Sequence, residues 1–179
     1  LPARAEQTPW RAAAQTGVLA TAAGLTLDSA AAAAPPAYGQ YARFGIFDAA
    51  PEALPRASRI QVAWSATIPA GAAVRVDVRL FDGARWSDWT LDVPDGGVAA
   101  FDRIGTLAQA RVVLLANGPA PVVNALSLSS LPLTSADEAV RMQQNPVAPT
   151  YHIRATRMGL VGDRTANGHI IQPNDWFVS

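Results

Sequence analysis

Val74-Arg-Val-Asp-Val-Arg-Leu-Phe81, the turn Asp82-Gly-Ala-Arg85, and Trp86-Ser-Asp-Trp-Thr-Leu-Asp-Val93 decide how this chain folds. In the first run Val74, Val76, Val78 and Leu80 alternate with Arg75, Asp77, Arg79 and Phe81, the period of a strand with one apolar face. In the second run Trp89, Leu91 and Val93 share a face, opposite Trp86, Asp88, Thr90 and Asp92. Closing a hairpin over Asp82–Arg85 sets Phe81 against Trp86, Val78 against Trp89, Val76 against Leu91 and Val74 against Val93. The other face then pairs Arg79 with Asp88 and Arg75 with Asp92. A slip of one residue would break the apolar and the charge matches together. Trp64 and Trp89 are expected in the core.

The same grammar extends outward. Between residues 17 and 128 further strand-like runs lie at Gly17–Thr21, Gly24–Leu27, Tyr38–Phe47, Arg59–Ser65, Arg111–Ala116 and Val122–Leu128. Pro69-Ala-Gly71, Asp95-Gly-Gly97 and Asn117-Gly-Pro119 punctuate them, and Ala30–Ala37 reads as an Ala-Pro spacer. Many short strands at this spacing predict an all-β, antiparallel β-sandwich over residues 1–133. Ser135-Ala-Asp-Glu138 is a capping-box pattern, so residues 134–150 read as a short helical linker ending at Asn145-Pro146. Residues 151–179 read as an incomplete C-terminal β segment. The chain stops inside the strand-like Trp176-Phe-Val178, which predicts that the natural protein continues.

Composition limits the chemistry. The 179 residues carry 14 Lys+Arg, all of them arginine, against 14 Asp+Glu, with no cysteine and half the residues apolar. Net charge of zero gives no basic footprint for nucleic acid. Absence of cysteine and lysine removes disulfides, thiolate metal sites, Schiff bases and a P-loop lysine. No window approaches the run of about 18 apolar residues that spans a membrane. His152 and His169 are the only histidines and lack metal-ligand spacing, so no metal and no cofactor are expected. No Gly-x-Ser-x-Gly elbow exists, and no carboxylate pair stands out, so no catalytic residue is assigned.

Two stretches carry a resemblance. Trp64-Ser-Ala-Thr-Ile-Pro69-Ala-Gly71, Val76-Asp-Val-Arg79, Trp86-Ser-Asp-Trp89 and Gln109-Ala-Arg-Val-Val-Leu114 resemble jelly-roll, galactose-binding-like sandwich domains of secreted bacterial proteins. Ala155-Thr-Arg-Met-Gly159-Leu-Val-Gly-Asp-Arg-Thr165-Ala-Asn-Gly168-His169 resembles the opening of a double-psi β-barrel of the rare lipoprotein A and expansin kind. The resemblance implies a secreted, cell-wall-associated, monomeric protein. Its sandwich would be a non-catalytic carbohydrate-binding or targeting module, and its barrel would act on wall polysaccharide. Asp163, Thr165, Asn167, His169 and Asp175 would border the barrel groove. In the sandwich, Phe81 and Trp86 could stack on a sugar ring, with Arg79 and Asp88 as polar partners. The alternative is that this face is covered by protein, and that the sandwich serves structure or protein interaction with no glycan ligand.

Overall fold

The structure is a computed structural model, and it describes residues 10–135 and Asp137. All of them fall within one unit, Leu1–Gln144. The linker beyond Asp137 and the segment 151–179 lie outside the described residues.

Among the described residues, eight strands form one antiparallel, sandwich-like sheet system. They are β1 (Ala12–Thr16), β2 (Val18–Thr21), β3 (Gly24–Leu27), β4 (Arg43–Ala49), β5 (Glu52–Thr67), β6 (Ala72–Phe81), β7 (Val98–Ala116) and β8 (Val122–Ser130). Neighbours run β1-β4-β7-β5-β8-β3-β2, with β6 on the other edge of β7. The all-β antiparallel fold read from the alternation is therefore present.

Two strands are much longer than the turn signals imply. β7 has 19 residues, and β5 has 16. The second half of β7 pairs with β4 and β6, and its first half pairs with β5. One strand thereby serves both layers. The bend falls near Gly105, where an added Cβ would stand 2.2 Å from the Phe81 carbonyl oxygen and 2.7 Å from Leu80 Cγ. No other residue fits so close to a neighbouring backbone. On the opposite side β1 pairs with β4 while β2 pairs with β3, and Gly17 links them with φ of +67°. The chain thus crosses between layers a second time and all but closes the wall into a barrel.

The core lies between the layers. Val76, Val78 and Leu80 of β6 pack with Val112 and Leu114 of β7, Phe47 of β4, Leu25 and Leu27 of β3, Ile60 and Val62 of β5, and Val123 and Leu128 of β8. From Ala108 to Ala116 β7 is buried on both faces, save for the half-buried Arg111. It is the central strand of its layer, and Val113 and Leu115 are covered on the far side. That explains its near-continuous apolar run, which a half-solvated strand would lack.

The hairpin is half as expected. Phe81 pairs with Trp86, Val93 is buried, and Arg75 reaches Asp92 at 3.6 Å. Residues 86–93 are not a strand, however: they meet β6 at isolated bridges, Phe81–Trp86 and Val78–Thr90, and through single bonds, among them that from the Val93 N–H to the Val76 carbonyl at 2.7 Å. The register slips by one between those bridges. Ser87 is the cause, since its hydroxyl accepts the Leu80 N–H at 3.0 Å while its own N–H donates to the Leu80 carbonyl. Side chain replaces backbone, and the chain gains a residue. Val78 therefore faces Thr90 rather than Trp89, Leu91 is 61% exposed rather than opposite Val76 in the core, and Arg79 does not meet Asp88. Trp89 is half-buried outside the core cluster. Trp64 does pack on the core and donates its indole N–H to the Val93 carbonyl at 3.1 Å.

The capping interaction sits one residue earlier than the Ser135–Glu138 reading. Thr134 donates its N–H and its hydroxyl to Asp137, and Asp137 returns its N–H to the Thr134 carbonyl at 2.9 Å.

Candidate functional site

Phe81, Trp86 and Arg79 do come together, but mostly to satisfy one another. The rings of Phe81 and Trp86 lie 5.2 Å apart and are tilted by 51°, which is not a flat platform. The Arg79 guanidinium lies 4.5 Å from the centroids of both Trp86 and Trp89. Arg111 stacks on Trp89 at 4.3 Å and forms two bonds to Asp48, at 2.6 and 3.1 Å. Arg79 is held by two bonds to Gln109 Oε1, and Gln109 donates to the Ala49 carbonyl. The run Trp86–Arg79–Trp89–Arg111–Asp48 is thus a cation–π ladder along the outer face of β6, β7 and β4. Burial holds the Arg79 guanidinium below its usual range, opposed by the Asp48 charge. Asp88 is exposed and stands apart from the ladder.

Next to the ladder, Asp77 is buried, and burial raises its carboxyl above the ordinary value. The Asp92 N–H, donated at 2.8 Å, and the charges of Arg75 and Arg111 pull it back. Asp92 adopts φ of +59°, so Asp77 fixes a turn in the left-handed region. Arg79, Asp77 and Arg111 thus each have a structural partner.

A cleft of about 470 Å³ lies elsewhere, within the roughly 300–1,000 Å³ usual for small-ligand sites. It opens where the wall of the sandwich is incomplete. β3 pairs with β8 only at Val122 and Val123, and past that point no strand among the described residues pairs with β8 on that side. Asn124 to Leu128 form one bank of the cleft, and Trp10, Arg11 and Ala49–Glu52 the other. The turn between β2 and β3 closes one end, fastened by Asn124 Nδ2 to the Ala23 carbonyl at 3.1 Å. Phe47, Ala110 and Leu128 bring the apolar core to the cleft wall. Trp10 stands edge-to-face on Phe47, with centroids 5.7 Å apart. Arg11 and Glu52 are exposed cleft residues, and Glu52 is the single carboxylate among the described lining residues.

None of these cleft residues stands out in the sequence. Trp10 sits among alanines, and the open edge of β8 results from the shortness of β3, which alternation does not encode. The barrel-groove residues Asp163, Thr165, Asn167, His169 and Asp175 lie outside the described residues, as do both histidines. Among the described residues no group of three His, Cys, Asp or Glu could hold a metal ion, and no helix is long and apolar enough to cross a membrane.

Residues 149–179 match a family described as "Domain of unknown function (DUF8814)". No curated protein and no solved structure matches the chain.

Proposed function

We propose that the sandwich is a non-catalytic carbohydrate-binding module of a secreted, wall-directed protein, and that it takes its ligand in the cleft beside Trp10. The Phe81–Trp86 pair is not part of the reading, because Arg79 and the tilt of the two rings use up its faces. The observation that carries the proposal is the make-up of the cleft. An indole, an apolar floor, a guanidinium and a carboxylate surround a space of small-ligand size. Pyranose rings present apolar C–H faces and a rim of hydroxyls, which these groups match. A single carboxylate among the described lining residues favours binding over glycosidic cleavage, which ordinarily needs two.

The test is calorimetric and NMR titration of the protein with soluble oligosaccharides, chitotriose and cellotriose among them. Binding is expected to shift the Trp10 indole signal. Trp10→Ala should weaken it by roughly 30-fold, about 2 kcal/mol, as for an aromatic anchor. Binding that shifts Phe81 and Trp86 while leaving Trp10 unmoved would overturn the assignment of the site. Failure of every oligosaccharide would overturn the function.

A further inference from the structure

We infer that the cleft selects glycans bearing acetamido groups, and that it reads them with the main chain of β8. This rests on the reading of the cleft as a glycan site.

The direction of the β8 main chain follows from β5. The Val62 N–H donates to the Gly97 carbonyl, and the Val62 carbonyl accepts the Gly96 N–H, both at 2.9 Å. The Trp64 N–H donates to Asp95 at 2.8 Å. Val62 and Trp64 therefore turn their polar groups away from β8. Antiparallel pairs alternate, so the bonds joining β5 to β8 belong to Gln61 with Ser129, Ala63 with Ser127, and Ser65 with Ala125. Leu126 and Leu128 must then point their N–H and C=O groups out of the opposite edge. β3 occupies that edge only as far as Val123. From Asn124 onward no strand among the described residues pairs with it, and this is the edge that borders the cleft.

A bare strand edge offers donor and acceptor groups in fixed positions. A hydroxyl satisfies one such group at a time. A secondary amide supplies a donor and an acceptor on one rigid plane, as a neighbouring strand would. The amide that a glycan carries is the 2-acetamido group, and its methyl would meet the apolar wall of Phe47 and Ala110. An extended peptide also offers amides, but a strand laid along β8 would run into the β2–β3 turn at Ala23, which closes the cleft. One or two sugar rings require no such passage. Arg11 and Glu52 then remain for hydroxyls.

The experiment uses the full chain, labelled with ¹⁵N, and three probes: chitotriose, cellotriose and an uncharged extended pentapeptide. Chitotriose should bind roughly tenfold more tightly than cellotriose, the worth of about one net hydrogen bond. Its binding should move the Leu126 and Leu128 amide protons downfield and slow their exchange, leaving the Ser127 amide, which faces β5, unmoved. Leu126→Pro removes one outward N–H at an edge position, where proline is tolerated. It should abolish the preference for chitotriose over cellotriose. Equal affinity for the two sugars overturns amide selection and leaves the glycan site standing. Tighter chitotriose binding without change at Leu126 and Leu128 overturns the main-chain mechanism. Failure of both sugars overturns the glycan reading itself, and so does engagement of the edge by the pentapeptide alone.

Discussion

Asp137 accepts hydrogen bonds from the Ser58 hydroxyl and from the Thr134 N–H and hydroxyl, with Arg59 at 3.6 Å, and these donors hold its carboxyl at about 2 against an ordinary 3.8. A depressed carboxyl stabilises the fold above the unfolded value and stops doing so as pH falls through the folded one. Acidification from pH 5 to pH 2 should therefore free the Leu131 and Thr134 amides for hydrogen exchange before the core amides open. Asp137→Asn should remove that pH dependence. Trp89 makes the second prediction of this scale. It lies between Arg79 and Arg111, so Trp89→Ala removes two cation–π contacts and leaves both guanidinium groups facing a gap. Thermal or urea unfolding should show a loss of about 2–4 kcal/mol. At this scale the sequence was partly legible. Phe81 beside Trp86 and Arg75 beside Asp92 follow from alternation alone. Trp89 does not, because alternation cannot see that the Ser87 hydroxyl will take a backbone partner's place and shift everything after it by one residue.

Among the elements, β6 and the second half of β7 could be read almost to their ends, since one has clean alternation and the other a dense apolar run. The first half of β7 could not. Phe101-Asp-Arg-Ile-Gly105 looks like the close of a strand and the start of a turn, and a 19-residue strand exceeds the usual length of 3–10. The glycine that suggests a break is what lets the strand bend and continue past Phe81. Gly105→Ala should accordingly cost about 1–3 kcal/mol, as overpacking against a fixed backbone does. Denaturation of the variant checks this, and NMR should place the largest shifts at Leu80, Phe81 and Gly105. The cleft belongs to this scale too. It exists because β3 covers only two residues of β8, and strand length at a sheet edge is set by tertiary fit rather than by local pattern.

For the molecule as a whole, the fold class was legible because it depends on the number of alternating runs, which many residues report together. The site was not, because it depends on where the wall has a gap. Integrity of the wall depends on β8, which joins β5 to β3. A chain ending at Ala116 keeps six whole strands of apolar pattern in addition to β7, yet loses the partner of both β5 and β3. It should show no cooperative thermal transition by circular dichroism, whereas a chain ending at Asp137 should unfold in a single transition.

The pairing of Leu25 with Val123 has a consequence in time. A ribosome that has made β3 must add about a hundred more residues before the partner strand exists, which takes roughly 5–20 s at ~5–20 residues per second. Through that interval Leu25 and Leu27 belong to a strand with one side of its main chain unclaimed. Newly made chains should therefore depend on holding chaperones for their first strands, and on speed of synthesis for their yield.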